Sequence, residues 1–354
     1  MRCFGFRWSR AVLGCILRVI CAGVILFLLG MGFPTHRAQA GLRWRPIALR
    51  GAVVWDISLF VQEGRTGLYA GTDAGLYRCL SSVPGAAFDC RRVGGVPAGD
   101  VYAVSCSSDG SHVVAALGSP AEIRYTANSG MSWSTAIAET LGYTFVRRDE
   151  NVLLLGTVGK GLWQSNTRGQ GWFRPGGSIA VASTVPAITL EPGANPSQAW
   201  ASVLDSGIYY SNDLQSWSPK NTNLKNAMAL TAMDAQTLLA GDDRGKIYKS
   251  TNYGGNWSVK STIPDAAFIY SLARQSERIA YAGTFGQGVW ITEDGGETWR
   301  EIGGLSGYAR YVYSLKNSLA NGQQTALFAA TADGVWLLLS PGTTFIPLTS
   351  RRYH

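Results

Sequence analysis

Charged residues and histidines are scarce in this chain. Asp, Glu, Lys and Arg make up 15% of the 354 residues, and there are three histidines. Intrinsic disorder requires low hydrophobicity and high net charge, so a sequence that is 46% apolar does not belong to that class. After residue 41 only His112 and His354 remain, and no cysteine spacing is typical of a zinc site. We therefore expect no metal, no cofactor and no Ser-His-Asp triad.

Acidic residues are absent from the first 40 positions, which hold five of the 31 basic residues. An apolar run at 11–33 follows the first arginines, and Ala38 and Ala40 stand at the −3 and −1 positions of a signal peptidase site. Residues 1–40 are thus predicted to be a cleaved signal peptide, with an uncleaved membrane anchor as the alternative. Either segment places residues 41–354 outside the cytoplasm, in the periplasm, in the medium or anchored and facing outward. Without the leader the net charge is small, so no nucleic-acid partner is expected.

No long helical period is visible after residue 41. Instead, one pattern recurs seven times: a short apolar strand, a glycine-containing turn, and a strand that ends in an aromatic residue. The copies lie at 68–79, 113–126, 153–165, 199–211, 238–250, 280–292 and 327–339. A further apolar strand precedes each copy, and an aromatic residue follows it at blade-like intervals. The sequence predicts an all-β protein, a seven-bladed β-propeller of four-stranded blades, as one domain over 41–354.

A polar turn follows most copies and matches the Asp-box pattern S/T-x-D-x-G-x-x-W. Residues 292–299 match at every position, whereas the other four boxes vary at the Asp or are one residue shorter. The box residues are Asn128, Trp133, Thr167, Trp172, Asp213, Trp217, Asn252, Trp257, Asp294 and Trp299, with Phe88 and Phe345 in the tryptophan position of the first and last copies. Hydroxyl and Asp or Asn side chains can bond backbone amides in such a turn. We expect a structural role, with each tryptophan packed on the core of its own blade.

Two further features concern stability. Residues 43–49 resemble 299–305, the outermost strand of the sixth blade, and are predicted to pair beside residues 345–349 and to clasp the last blade. Cys79 and Cys90 fall on adjacent strands of one hairpin, where their Cβ atoms would be close enough for a candidate disulfide. An exported protein can keep such a bond.

The boxes, together with the G-x-W/Y strands before them, resemble bacterial neuraminidase repeats (BNR). Sialidases, two-propeller xyloglucanases, sortilin-like receptors and the photosystem II stability and assembly factors use these repeats. Seven blades in a single exported domain are most similar to the last family. That resemblance implies a non-catalytic scaffold that docks on a protein partner, often at a membrane. It also implies an arginine-rich patch on one face, whose nearest equivalents here are Arg91, Arg92, Arg147, Arg148, Arg274 and Arg310.

A glycosidase, sialidase-like or of another exo-acting kind, is the alternative function, with carbohydrate as the alternative ligand. Sialidase chemistry needs an arginine triad and a tyrosine nucleophile, and residues 44–47 lack the expected Arg-Ile-Pro order. Carboxylates near the ends of predicted inner strands are Asp56, Asp149, Glu191 and Asp234. Xyloglucanases place such residues across a cleft between two propellers, and here there is one. We expect no catalytic residue and no enzyme activity.

Tyrosine and arginine, which are enriched at binding hot spots, cluster near two predicted inner strands. The candidate binding residues are Tyr308, Arg310, Tyr311 and Tyr313 in one segment and Arg147 and Arg148, beside Tyr143, in the other. Tyr311 and Tyr313 could instead alternate into blade packing, and one of two adjacent arginines must face inward. The sequence predicts a monomeric, exported, non-catalytic scaffold that binds a protein partner and assists assembly or stability of an envelope or membrane complex.

Overall fold

The computed structural model describes residues 42–81, 87–193, 197–266, 268–320 and 323–339, which lie within one compact unit, Ala38–His354. The predicted leader, 1–40, and Phe345 lie outside these described residues. No helix within the described ranges is long and apolar enough to cross a membrane.

The described chain is almost entirely strand, and its strands follow one another as antiparallel meanders. The first is β1 (Arg43–Ala48). Blade 1 then consists of β2 (Val54–Gln62), β3 (Arg65–Thr72), β4 (Gly75–Ser81) and β5 (Phe88–Arg92). Blade 2 consists of β6 (Val101–Cys106), β7 (Val113–Gly118), β8 (Ala121–Thr126) and β9 (Ser134–Ile137). Blade 3 consists of β10 (Gly142–Arg147), β11 (Leu153–Thr157) and β12 (Leu162–Ser165), and the short β13 (Gly176–Gly177) follows it.

The second half repeats the arrangement. Blade 4 consists of β14 (Ala187–Leu190), β15 (Ala199–Val203), β16 (Gly207–Ser211) and β17 (Ser216–Asn221). Blade 5 consists of β18 (Ala227–Ala232), β19 (Leu238–Asp242), β20 (Lys246–Ser250) and β21 (Ser258–Thr262). Blade 6 consists of β22 (Ile269–Arg274), β23 (Ala280–Thr284), β24 (Val289–Thr292) and β25 (Arg300–Ile302). A 3-10 turn at Gly307–Arg310 precedes blade 7, which consists of β26 (Val312–Ala320), β27 (Gln323–Thr331) and β28 (Gly334–Leu339), with β1 added at its edge. The predicted seven-bladed propeller is confirmed.

Blade 3 lacks a regular fourth strand. Phe173 makes only an isolated bridge to Gln164, and Pro175, which has no amide hydrogen to donate, follows two residues later. The chain then leaves for blade 4, where β13 pairs in parallel with β17. This approach needs glycine, because a Cβ on Gly177 would lie 2.1 Å from the carbonyl oxygen of Trp217.

The hydrophobic core lies between the blades. Each of the seven buried clusters joins residues of two neighbouring blades, and together they run once around the ring. In one cluster, Trp200 and Ile208 of blade 4 pack with Leu238 and Ala240 of blade 5. Four second strands, β11, β15, β19 and β23, are buried along their whole length. A blade therefore has two apolar faces, and each needs a neighbour to cover it.

Strand β1 closes the ring. It pairs antiparallel with β28, with Trp44 opposite Leu338 and Pro46 opposite Trp336. Trp44 packs in the cluster between blades 6 and 7, whereas Ile47 packs in the cluster between blades 7 and 1. The predicted clasp on the last blade is confirmed. Its predicted neighbours, residues 345–349, lie outside the described residues, and β1 instead pairs directly with the third strand of the blade.

Cys79 and Cys90 lie directly opposite each other on β4 and β5. Their Cα atoms are 4.0 Å apart, and a disulfide joins the two side chains. Cys79 is fully buried in the cluster between blades 7 and 1, so the bond ties the outer hairpin of blade 1 to the closing interface.

We expect the clasp to govern stability. Deleting residues 41–50 should lower the melting temperature sharply, and Ile47→Ala alone should lower the free energy of unfolding by about 2–4 kcal/mol, because it opens a cavity at the closing interface. Arg43→Ala, on the exposed side of the same strand, is the matched control and should change stability by less than about 0.5 kcal/mol. An unchanged melting temperature in the deletion variant would contradict the clasp.

We also expect the disulfide to form in the exported protein. Mass spectrometry should find Cys79 and Cys90 resistant to alkylation until a reductant is added, and reduction should remove about 2–3 kcal/mol, the value for a short loop. A Cys79→Ser/Cys90→Ser variant should be insensitive to the reductant. If both thiols are alkylated without reductant under native conditions, the bond is absent.

Candidate functional site

The two faces of the ring carry different loops. The inner strand of each blade is its first: β2, β6, β10, β14, β18, β22 and β26. Loops that lead into these strands, together with the turns between second and third strands, form one face, which we call the aromatic face. Turns after the inner strands and turns between third and fourth strands form the other, which we call the turn face. Candidate functional residues occur on both faces.

Five turns on the turn face end in a tryptophan, and we call them the tryptophan turns (126–133, 165–172, 211–217, 250–257 and 292–299). In the last, Thr292 Oγ1 donates to Asp294 Oδ1 at 2.8 Å, while the Gly296 amide donates to Thr292 Oγ1 at 2.8 Å. The Thr298 amide donates to Asp294 Oδ1 at 3.0 Å. Equivalent bonds to Asn128, Thr167, Asp213 and Asn252 hold the other four. These side chains thus accept hydrogen bonds from backbone amides inside the turns.

The tryptophans do not pack on their own blades alone, which corrects the expectation from the sequence. Trp299 of blade 6 lies against the cluster that blades 5 and 6 share, and Trp133, Trp172, Trp217 and Trp257 occupy the equivalent positions between their blade and the preceding one. A Cβ on Gly296 would lie 2.4 Å from Leu239 of blade 5. The turns are pressed against the neighbouring blade because neither blade can cover its own apolar face.

The four candidate glycosidase carboxylates are bonded within the fold and do not converge on one place. Asp56 accepts from the Val104 amide at 3.0 Å and from Ser314 Oγ at 2.7 Å, so it links blades 1, 2 and 7. Asp234 caps the turn after β18 by accepting from the Gln236 and Thr237 amides, both at 2.7 Å.

Asp149 and Glu191 occupy corresponding turns of blades 3 and 4. Glu191 accepts from the amides of Ser197 and Gln198. Burial acts to raise the pKa of Asp149, but hydrogen bonds from the Asn151 and Val152 amides outweigh it and lower that pKa. Hydrogen bonds from turn amides likewise outweigh burial at Asp234 and lower its pKa, whereas a general acid needs a raised pKa. Across the described ranges no group of three or more His, Cys, Asp or Glu side chains is placed to hold a metal ion.

The candidate arginines are dispersed. Arg147, at the end of β10, is largely buried: Nε donates to Ser105 Oγ at 3.4 Å and Nη1 donates to the Glu150 carbonyl at 3.0 Å. Arg148 forms an ion pair with Asp149 at 2.7 Å. Both adjacent arginines lie on the turn face, where they are bonded within the fold. Arg274 donates to the Met233 carbonyl of blade 5 at 2.7 Å on the same side of the ring.

Arg91 and Arg92 line a different feature, a groove of 510 Å³ at the junction of blades 1 and 2. Arg65 and Arg78, which the sequence did not single out, complete its basic lining. All four are engaged: Arg65 with Glu63, Arg78 with Gln62, Arg91 with Asp89, and Arg92 with the carbonyls of Ala74 and Val96. The six predicted arginines thus lie at separate places, with Arg310 on the aromatic face.

A β-bulge recurs at the start of six inner strands. In each, the register of the strand pair shifts between the first and third residues, so the bulge lies at the second residue. The second residues are Trp55, Tyr102, Tyr143, Met228, Tyr270 and Tyr313. Bulges re-aim side chains, and in each of these six blades the bulge sets one large side chain near the channel opening. The recurring pattern, an aromatic residue directly after a small or apolar residue at the start of an inner strand, can be read from the sequence.

Four of these residues form the aromatic arc, which crosses four successive blades. Trp55 lies between Tyr102 and Tyr313, with ring centroids 5.6 and 4.8 Å away, and Tyr313 lies 5.5 Å from Tyr270. All four are half-buried. These four residues lie at the starts of inner strands, which contact the inner strands of the neighbouring blades, so the arc borders the opening that these strands surround.

The aromatic surface continues outward over blades 6 and 7. Phe285 lies 5.9 Å from Tyr270 and 4.7 Å from Tyr311, which in turn lies 6.4 Å from Tyr308. The Tyr308 side chain is 70% exposed. Tyr308, Tyr311 and Tyr313, three of the predicted binding residues, therefore share one continuous surface, and Tyr311 and Tyr313 also contribute to blade packing.

Arg310 positions this surface. Its Nε donates to the Gly286 carbonyl at 3.0 Å, Nη2 donates to Gln287 Oε1 at 2.8 Å, and Glu301 lies 3.3 Å away. These bonds join the loop before blade 7 to the turn of blade 6 that carries Phe285. Arg310 is thus bonded within the fold, whereas Tyr308 is exposed. We therefore expect Tyr308, more than Arg310, to contact a partner directly.

Asp100 anchors the other end of the arc, and the sequence analysis did not identify it. Its two oxygens accept hydrogen bonds from Trp55 Nε1 at 3.0 Å and from the Tyr102 hydroxyl at 3.1 Å. Burial, followed by the charge and hydrogen bond of Asp100, raises the pKa of Tyr102 to about 12. The hydroxyl therefore keeps its proton and Asp100 remains the acceptor.

Comparisons with known structures agree with the fold. YCF48 bound to D1 peptide matches with a TM-score of 0.61 and 15% identity over 85% of this chain and 96% of that chain. YCF48 from Cyanidioschyzon merolae matches with a TM-score of 0.60 and 15% identity over 84% and 98%. The GH74 xyloglucanase from Xanthomonas campestris matches with a TM-score of 0.57 and 18% identity, over 84% of this chain and 53% of that chain. At these identities the similarity is one of fold.

A scan against protein-family models gives no match, and a search of curated proteins gives none. The propeller thus resembles both a protein whose structure was solved with a bound peptide and a xyloglucanase.

The tryptophan turns predict a specific pH dependence. Burial opposes the shift, but the Thr298 hydroxyl and amide, followed by Thr292, lower the pKa of Asp294 to about 2. The stability that Asp294 contributes is therefore complete above the unfolded pKa near 4 and is lost as pH falls through about 2. Asp294→Asn reproduces the turns at Asn128 and Asn252, so it should fold. Its melting temperature should lie below that of the parent at pH 6, with a gap that narrows between pH 4 and pH 2. A gap that does not change with pH would contradict the hydrogen-bonded carboxylate.

Proposed function

We propose that this chain is an exported, non-catalytic scaffold that binds a protein partner through the aromatic face. It assists the assembly or stability of an envelope or membrane complex. The observation that carries the proposal is the continuous aromatic surface from Tyr102 to Tyr308. We also assign the tryptophan turns to the Asp-box class of BNR repeats and residues 1–40 to export, and we expect a monomer.

The aromatic surface has the physical character of a binding hot spot. Tyrosine and tryptophan give large apolar contact areas, and half-buried rings have already lost most of their side-chain freedom, so binding orders little more. The loop that carries Tyr308 is fixed by Arg310, which donates to Gly286 and Gln287. A prearranged, shallow face of this kind suits a protein partner better than a small substrate. The YCF48 structure that holds a D1 peptide supports a propeller of this fold as a protein-binding scaffold.

Glycoside hydrolysis is the second candidate, and the GH74 neighbour favours it. The carboxylates argue against it. A retaining or inverting enzyme needs two carboxyl groups facing one bond, whereas Asp149, Glu191 and Asp234 each accept from amides of their own turn. Asp56 is held by Val104, Ser314 and Lys316.

Site-specific photo-crosslinking tests the proposal. We expect p-benzoylphenylalanine in place of Tyr308 to crosslink one discrete envelope protein, and excess unlabelled chain should compete. The same group in place of Val259, which is 49% exposed on β21 away from this face, is the matched control and should give no such product. Tyr311→Ala in the crosslinking variant should reduce the yield. Equal crosslinking from both positions would contradict the assignment of the face.

Activity assays test the alternative. The purified chain should release no sugar from xyloglucan, β-glucans or sialosides. Turnover that Asp56→Asn or Glu191→Gln abolishes would overturn the scaffold and assign the protein to the glycosidases.

A further inference from the structure

We propose that the aromatic arc receives a cationic side chain, arginine or lysine, from an exposed segment of the protein partner, with Asp73 and Asp100 as its counter-charges. This inference rests on the proposed function and names the chemistry that the aromatic face recognises.

The arc supplies the aromatic part of such a site. Its members stand at equivalent positions of four successive blades, so they surround one side of a single opening. Trp55 is tilted by 54° to Tyr102 and by 55° to Tyr313, so the rings do not form one flat platform. Aromatic faces carry negative potential and attract guanidinium and ammonium groups, with tryptophan the strongest.

Asp100 supplies negative charge within this arc. The two groups that donate to it, the Trp55 indole and the Tyr102 hydroxyl, are both neutral, so they orient the carboxylate without cancelling its charge. Asp73 is exposed on the adjacent turn of blade 1, where its amide donates to the carbonyl of Val53 at 3.2 Å, two residues before Trp55. Partial burial raises the pKa of Asp73, and the negative charge of Asp100 adds to that rise. A cation between them would relieve this repulsion.

Three other carboxylates on the blades that carry the arc already have a cation. Asp56 has Lys316 at 3.4 Å, Asp333 has Arg50 at 3.0 Å, and Glu301 has Arg310 at 3.3 Å. Within the described part of the chain, no ion pair includes Asp73 or Asp100. The fold thus pairs the neighbouring acids internally and leaves these two beside the aromatic rings.

A cation fits this arrangement better than a sugar does. Sugar rings stack on flat aromatic surfaces and carry no charge to offset two carboxylates, whereas a guanidinium group can lie over an aromatic ring and donate to a carboxylate at the same time. The attraction is partly electrostatic, so added salt should weaken it.

The test uses the whole exported chain with 5-fluorotryptophan incorporated, and Trp55→Phe assigns the Trp55 fluorine signal. The probe is N-acetyl-arginine N-methylamide, and its neutral isostere is the citrulline compound. We expect the Trp55 signal to shift saturably with the arginine probe and about tenfold more weakly with citrulline. Asp100→Asn and Asp73→Asn should each weaken arginine binding by about two- to fivefold.

Asp205→Asn is the matched control, because Asp205 is an exposed acid on the same face in the corresponding turn of blade 4. It should leave the affinity unchanged. Asp73 is exposed, so its variant stays informative even if Asp100→Asn disturbs Trp55. Equal response to arginine and citrulline, or a Trp55 shift with cellohexaose but not with arginine, overturns the cationic site. If crosslinking from position 308 still captures a protein, that result rejects the cation site alone and keeps the scaffold.

Discussion

Packing between blades is the constraint on which this molecule depends. Each buried cluster takes residues from two neighbours, so no blade holds a complete core and the ring must close. The closing interface is unusually composite: β1 brings Ile47 to blade 7, and Val54 and Cys79 come from blade 1. Strand β1, which precedes blade 1, thereby joins blade 7 to blade 1. The other interfaces depend on this closure, because an open ring would expose two apolar faces.

The same constraint separates the two faces of the ring. On the turn face, hydroxyl, carboxylate and tryptophan side chains are used to build turns that reach the preceding blade, as Trp299 and Gly296 do at Leu239. The aromatic face carries the bulges of the inner strands. Its bulges turn Trp55, Tyr102, Tyr270 and Tyr313 toward the opening, where rings from separate blades meet. We therefore place the proposed function on the aromatic face.

The blades, their number and the clasp could be predicted from the sequence, because apolar periodicity and the recurring tryptophan report local structure that each repeat encodes by itself. The arc could not. Alternation along a strand assigns Trp55 and Tyr313 a face, but a bulge shifts that phase, and the contact between them joins residues more than 250 positions apart. Asp100 was missed for the same reason, because it accepts a hydrogen bond from Trp55, which belongs to another blade. The part of the preceding blade in tryptophan packing was missed, because sequence patterns do not distinguish a blade's own core from its neighbour's.

The account assigns stability to the turn face and partner binding to the aromatic face. One paired measurement on Trp299→Ala and Tyr308→Ala tests this assignment most directly. For each variant, the free energy of unfolding and the partner capture per folded molecule are measured together. Trp299→Ala should lose about 2–3 kcal/mol, because it leaves a cavity between blades 5 and 6, and should capture normally. Tyr308→Ala should unfold like the parent and lose most of its capture. Loss of capture with full stability in Trp299→Ala, or normal capture by Tyr308→Ala, would contradict the account.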